Sequence, residues 1–277
     1  MSQKVAFVTG ASSGIGFVAS AGLKKKGFAV YAASRKLEKM RDLEKKGINI
    51  LYLDLTDDES MVNCVETIME KEGQIDVLVN NAGYGSYGAI EDVPLEEARR
   101  QIEVNVLGLG RMIQLVLPGM RKNRFGRIIN ITSVGGKVHT PFGGWYHASK
   151  FAVEGLSDCL RTEVAEFGID VVVVEPGGIK TEWGIIAGEN LKKTSGKGAY
   201  SKMANRIADV MIEMYKTGKG LSPSSLISDV IVRAASVEKP KTRYLIGANA
   251  KPAFLMKRIL SDRAYDKLIL KKMSRMM

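Results

Sequence analysis

The chain has 277 residues, 30.2 kDa, with 45% hydrophobic and 26% charged residues and a mean hydropathy of −0.04. That balance belongs to a globular chain with a substantial core; no apolar run approaches the ~20 residues of a bilayer span, and no signal peptide precedes the first strand pattern. Of the formal net charge of +11, the stretch from Lys251 to the end carries +6 and the other 250 residues only +5. The basic excess is therefore local. With no zinc-ligand spacing and no other nucleic-acid motif, neither a metal nor a nucleic-acid partner is expected. Cys64 and Cys159 lie far apart on helix-like segments. They read as reduced thiols, small core residues of a cytoplasmic protein.

In chain order, the first β-branched run, Val5–Thr9, reads as a buried strand. Gly10 then allows a tight turn, and Gly14 and Gly16 open a helix over Ile15–Lys26. Backbone N–H groups at such a helix start hold a pyrophosphate, and the helix dipole favours its charge. Ser12, Ser13 and Ile15 complete this turn, and Gly16 lets the helix approach the sheet. The second strand, Ala29–Ser34, runs into Arg35-Lys36 without an acid. A carboxylate at that strand end binds a free ribose 2′-OH, whereas an Arg accommodates a 2′-phosphate. Arg35 thus points to NADP(H), and the small Ser13 leaves room. The plainer alternative is that Arg35 and Lys36 open a solvated helix over Leu37–Lys46.

The strand Ile48–Leu53 follows, then a helix over Asp57–Glu72, the strand Val77–Asn80 and a long helix over Leu95–Arg121. The strand Arg127–Thr132 delivers Ser133 at its carboxyl end, the edge where ligands bind in open sheets. A helix over Tyr146–Phe167 puts Tyr146 and Lys150 on one face. A free phenol titrates near ~10, and a nearby ammonium lowers such a value by ~1–3 units. Tyr146 is then the candidate proton donor to a carbonyl oxygen, Lys150 adds donors for ribose hydroxyls, and Ser133 holds the substrate oxygen. His147, beside Tyr146, points off that face and reads as structural. Strands at Val171–Glu175 and Tyr244–Gly247 complete a set of seven.

Two segments break the alternation. Ile179–Tyr200, with Trp183, Ile185, Ile186 and flanking glycines, has the mixed character of a mobile lid. Pro252–Met277, in a basic extension from about residue 251, spaces apolar residues helically among Lys and Arg. This tail has three readings: packing on the body, extending a subunit interface, or lying on an anionic membrane. Val134, His139, Phe142, Trp145 and Trp183 flank Ser133, Tyr146 or the lid. They are the candidate substrate residues, and their apolar bias favours a hydrophobic ketone.

The ordered set Thr9-Gly10-x-x-x-Gly14-Ile15-Gly16, Asn80-Asn81-Ala82-Gly83, Asn105-Val106, Ser133, Tyr146-x-x-x-Lys150 and Pro176-Gly177 resembles the short-chain dehydrogenase/reductase family. The resemblance covers about residues 4–250. It implies that Asn105 completes a catalytic tetrad and holds a water linking Lys150 to solvent. It implies that Asp54, in Asp54-Leu55, meets the adenine amino group. Asn81, Ala82 and Gly83 would line the adenosine side, and Pro176, Gly177 and Thr181 the nicotinamide side. The tail and the Tyr84-Gly85-x-Tyr87-Gly88 loop are similar to the branch with 17β-hydroxysteroid dehydrogenases and acyl-dihydroxyacetone-phosphate reductases, which implies lipophilic carbonyls.

The expectation is one α/β domain over residues 1–277: a doubly wound, mostly parallel seven-stranded Rossmann-like sheet with helices on both faces. Its expected activity is NADPH-dependent reduction of a lipophilic carbonyl, in a homodimer or homotetramer. The alternative of another class is a non-catalytic NADP-sensing or scaffolding protein, which would need no proton donor.

Overall fold

The structure, a computed structural model, describes residues 3–274. Seven strands form one sheet: β1 (Val5–Thr9), β2 (Ala29–Ser34), β3 (Asn49–Tyr52), β4 (Val77–Asn80), β5 (Gly126–Ile131), β6 (Ile169–Pro176) and β9 (Arg243–Ile246). The two-residue strands β7 (Ile179–Lys180) and β8 (Ser222–Pro223) pair separately. The sheet order is β3-β2-β1-β4-β5-β6-β9 and every pairing in it is parallel. The chain winds outward from β1 to β3, then crosses back to β4 and winds the other way. The direction reverses between β1 and β4, and the carboxyl ends of those strands open the crevice that such sheets use for ligands.

Both sheet faces are buried, so the strands read as continuous apolar runs. Alternate residues serve opposite faces. Phe7, Leu78, Ile128 and Val171 face α3 (Asp58–Glu72), α5 (Leu109–Asn123) and α6 (Gly144–Glu163). Ala6, Val8, Val79, Ile129 and Val172 face α1 (Gly14–Lys25), α2 (Arg41–Glu44) and α9 (Ser224–Ser236). The expected Leu37–Lys46 helix is shorter than its pattern suggests. A 3₁₀ turn over Leu37–Met40 leads into one turn of α2, because Met40 and Leu43 both turn into the core. Cys64 is buried, donates to the Tyr52 carbonyl at 2.9 Å, and burial pushes its thiol up to about 11. Cys159, expected in the core, is exposed on α6.

The pattern over Leu95–Arg121 predicts one helix, and the structure divides it. Helix α4 (Leu95–Ile102) passes through a π-helical turn over Glu103–Gly108 into α5. The backbone at Gly108 runs against the loop after β3: a Cβ there would sit 2.5 Å from the Leu55 carbonyl oxygen. Such i→i+5 turns cluster at functional sites, and this one contains Asn105.

The Ile179–Tyr200 segment is largely helical rather than loop. After β7 comes α7 (Trp183–Ser195), which packs on α8 (Ser201–Thr217), a helix that the sequence pattern did not single out. Fully buried Ala187, Leu191, Ala204 and Ala208 form the contact. The small side chains allow close approach but give a weak hydrophobic stripe in sequence. Beyond β9, α10 (Ala250–Ile259) and α11 (Asp262–Ser274) fold back on the body. Tyr265 is only 2% exposed and meets the His139 ring edge-on at 5.1 Å, with the Lys257 ammonium 5.1 Å over its other side. Of the three readings of the tail, packing on the body is present; residues 275–277, including Arg275 of the basic run, lie outside the described residues. Among the described residues no helix is long and apolar enough to cross a membrane, and no group of side chains could hold a metal.

The tail is anchored mainly through one buried aromatic. Tyr265→Ala should cost about 3 kcal/mol of docking. Limited trypsin digestion should then cleave α10–α11 far faster while the thermal midpoint of the body barely changes. An unchanged cleavage rate would contradict Tyr265 as the anchor.

Candidate active site

The turn after β1 is shaped by contacts that leave no room for side chains. Gly10 has φ +68°, and a Cβ on it would lie 2.6 Å from Ala82 Cα. A Cβ on Gly16 would lie 2.5 Å from the Gly10 carbonyl oxygen and from Asn81 Nδ2. The exit of β4 is tied to this turn. Thr9 Oγ1 accepts from the backbone N–H groups of Asn81 and Ala82, both at 3.1 Å, and Asn81 Nδ2 donates to the Thr9 and Gly10 carbonyls at 3.0 and 3.1 Å. Helix α1 then starts with its first N–H groups lacking helical partners. Ser13 makes no side-chain cap and no acid stands in the first turn, so the end is electropositive.

A cavity of about 660 Å³ runs from this turn across the carboxyl ends of β1, β4 and β5. Gly10, Ser12, Ser13, Gly14 and Ile15 line it; Gly16 is buried behind them. At one end stand Arg35, Asp54 and Leu55. The Arg35 guanidinium lies 3.8 Å from the Asp54 carboxylate and remains half exposed. Asn81, Ala82 and Gly83 line the middle, and Pro176, Gly177 and Thr181 the far wall. Lys36 also lines this end, and Lys39, on the 3₁₀ turn after β2, and Arg100 of α4 add two further cations. Lys39 and Arg100 were not singled out from sequence, although Arg35-Lys36-x-x-Lys39 has the spacing of one turn.

Ser133, Tyr146 and Lys150 meet on the cavity floor. The Ser133 hydroxyl accepts from Gly135 N at 3.0 Å and is hydrogen-bonded to the Tyr146 phenol. Lys150 Nζ lies 6.0 Å from the Tyr146 ring centroid and donates to the Ile131 carbonyl at 2.9 Å. Asn105 is brought to the same place but does not line the cavity. Its Oδ1 accepts from Tyr84 N at 3.0 Å, and its Nδ2 donates to the Tyr84 carbonyl at 2.9 Å and to Ser149 Oγ at 3.0 Å. The side chain is thus fully committed.

Burial dominates the electrostatics. It pushes the Tyr146 phenol up to about 12, against the lowering effect of the Ser133 hydrogen bond. The lowering expected from Lys150 is therefore not what sets the phenol. Burial also pushes the Lys150 ammonium down to about 8, while Glu154, one turn along α6, raises it. Near neutrality the phenol keeps its proton and the amine its charge. Glu154 is itself held by Thr132 Oγ1 at 2.6 Å, Lys137 at 2.8 Å and Arg243 at 3.1 Å.

Trp183 of α7 stands over the phenol, ring centroids 5.0 Å apart, and meets Tyr87 edge-on at 5.8 Å. Tyr215 of α8 and Ile186 extend this apolar wall, and Val134 lies beside Ser133. The other candidate substrate residues lie elsewhere. His139 is exposed and pairs with Asp266 of α11 at 3.2 Å. Phe142 is buried against Tyr200, ring centroids 6.2 Å apart, and Trp145 is half-buried off the cavity. Tyr215 was invisible in the sequence, because only the packing of α8 on α7 carries it to Tyr146. His147, expected to point away from the site, instead lines the cavity with its ring 5.8 Å from that of Tyr146, yet both its nitrogens are engaged: Nδ1 donates to the Gly135 carbonyl at 2.8 Å and Nε2 accepts from Thr140 N at 3.0 Å.

Residues 4–190 match the family described as short chain dehydrogenase. The chain is 41% identical over 197 residues to a 3-ketodihydrosphingosine reductase of Bacteroides thetaiotaomicron, covering 71% of each chain. It is 34% identical, with 99% of each chain covered, to an NADPH-dependent 3-dehydrocapnine reductase of Ornithobacterium rhinotracheale. A solved short-chain dehydrogenase from Streptomyces avermitilis superposes with a TM-score of 0.80 and 30% identity, over 99% of this chain and 98% of that one.

Burial holds His147 below the 6.5 of a free imidazole, so the unfolded chain binds the extra proton. The stability gained from neutral His147 is complete above about pH 6.5 and is lost as the pH falls below it. In thermal melts, His147→Gln should be less stable at neutral pH, and its gap to wild type should narrow toward pH 5 or so. A gap independent of pH would show that the ring is not held neutral.

Proposed function

The chain belongs to the short-chain dehydrogenase family and is an oxidoreductase of that type; on that premise we propose that it reduces the ketone of a long-chain lipid with NADPH. One observation carries the proposal: Tyr146 stands, protonated, between an electropositive glycine turn and the aromatic wall of Trp183, Tyr87 and Tyr215. The residues present fit the cofactor. The first N–H groups of α1 suit a pyrophosphate, and Arg35, Lys39 and Ser13 offer cations and room for a 2′-phosphate. The cofactor supplies a hydride to the carbonyl carbon. Ser133 and Tyr146 hydroxyls orient the carbonyl oxygen, and the Tyr146 hydroxyl gives it the proton that completes the alcohol. The Lys150 ammonium offsets the phenolate left behind and has donors for ribose hydroxyls. Asn105 acts as a positioning residue through Tyr84 and Ser149. A phenol that keeps its proton near neutrality has that proton available to give to a carbonyl oxygen. The names of two relatives, a 3-ketodihydrosphingosine reductase and an NADPH-dependent 3-dehydrocapnine reductase, support a lipid ketone over a steroid.

Arg35→Asp should weaken NADPH binding about tenfold to a hundredfold, the loss of a charge-assisted contact, and improve NADH binding. Fluorescence titration of both cofactors reads this, and equal wild-type affinities would refute the assignment.

Tyr146→Phe should lower kcat about 10²–10⁴-fold, the usual worth of a positioned acid, with NADPH affinity kept. The function itself is tested by NADPH oxidation against 3-ketodihydrosphingosine, long-chain ketones, a steroid ketone and sugars. KM should fall as the apolar part lengthens, each buried methylene contributing about 0.8 kcal/mol, and Trp183→Ala should flatten that trend. Turnover confined to sugars or small polar ketones would overturn the proposal.

A further inference from the structure

A second surface lies outside the cavity, and we infer that α10 and α11 dock the protein on an anionic lipid bilayer. The inference stands apart from the proposed reaction. The two tail helices have an inner face, where Ala250 and Tyr265 are buried against the body. Their outer face carries a cluster of exposed apolar side chains among cations. Leu255, Met256 and Ile259 are 54%, 39% and 71% exposed, and their i, i+1, i+4 spacing puts them on one side of α10. Leu270 of α11 is 55% exposed. Single exposed apolar residues need no explanation, but three on one face of a ten-residue helix mark an interaction site.

The charge around this patch selects the occupant. Lys251 and Arg258 of α10 and Arg263 and Lys267 of α11 are exposed beside it. Residues 251–274 hold seven basic and two acidic side chains, a net +5. Both acids are engaged: Asp262 pairs with Lys257 at 2.6 Å and Asp266 with His139 at 3.2 Å. Apolar side chains ringed by cations suit the boundary between acyl chains and anionic headgroups. A two-fold contact with a second copy would instead set +5 against +5, and a nucleic acid would leave Leu255 and Ile259 in water. The placement also relates the patch to the cavity. Tyr265 and Asp266 sit on His139, and the flanking residues Val138 and Thr140 line the cavity wall. A bilayer held by the tail would therefore lie close to the entrance for an apolar substrate.

The test is vesicle flotation with the full chain, using phosphatidylcholine alone and phosphatidylcholine mixed with phosphatidylglycerol. At low ionic strength the protein should float with the anionic vesicles and bind neutral ones at least about tenfold more weakly; raising salt to about 0.5 M should release it. Leu255→Ser/Ile259→Ser should bind anionic vesicles at least about tenfold more weakly, with an unchanged thermal midpoint and unchanged turnover of a short soluble ketone. Arg258→Glu/Lys267→Glu should lose binding while keeping the same midpoint. Absence of binding to anionic vesicles at low ionic strength, or full binding by Leu255→Ser/Ile259→Ser, would overturn the inference. So would a size-exclusion shift showing that these substitutions split an oligomer of a chain that ignores vesicles.

Discussion

The contact between the start of α1 and the turn after β1 is the constraint on which the rest of the site depends. Gly16 and Gly10 approach so closely that no side chain fits between them, and Asn81 bonds across both Thr9 and Gly10. This joins the ends of β1 and β4, the two strands where the winding of the sheet reverses. The crevice is thereby held open at one place with one shape. Its rim carries the free N–H groups of α1 on one side and the segment through Gly83 on the other. Ser133 then follows β5, which pairs with β4 residue by residue, and Tyr146 and Lys150 are carried by α6.

Burial, rather than the spacing of charges, governs the chemistry of that floor. Tyr146 and Lys150 share a helix face, yet the phenol is pushed up and the ammonium down because both lie in a poorly hydrated interior. The two shifts act in concert near neutrality. A phenol that holds its proton is an acid available for donation, and an amine with its value near 8 still carries most of its charge. Glu154 keeps the amine charged from the far side, and Lys137 and Arg243 in turn keep Glu154 from being an uncompensated buried anion.

Above the floor stands a layer of helices on the sheet's carboxyl edge. The α7–α8 pair holds Trp183 and Tyr215 against Tyr87 and Tyr146. Small residues at its interface set the rings' positions by close helix approach, as Gly188 shows: a Cβ there would lie 2.7 Å from Ile212. The tail helices brace the neighbouring wall through His139, so a residue first considered for substrate contact is instead a strut.

The boundaries of β1, β2 and β4, the glycine turn and the Ser133–Tyr146–Lys150 set were legible in the sequence. They depend on local rules: β-branched runs long enough to cross a core, glycine where a positive φ or close contact is required, and helical spacing for two side chains on one face. The place of Arg35 was legible for the same reason, as the residue that follows a strand. What the sequence could not convey arises from packing between distant segments. The π-helical turn at Asn105 accompanies the fit of Gly108 against Leu55; α8 is built on alanines whose weak periodicity gains meaning only opposite α7; and Tyr215 and His139 take their places from neighbours far along the chain. Local spacing alone determined which groups could react, while tertiary burial decided their protonation and which aromatic side chains face them, because desolvation and contact are properties of the assembled interior.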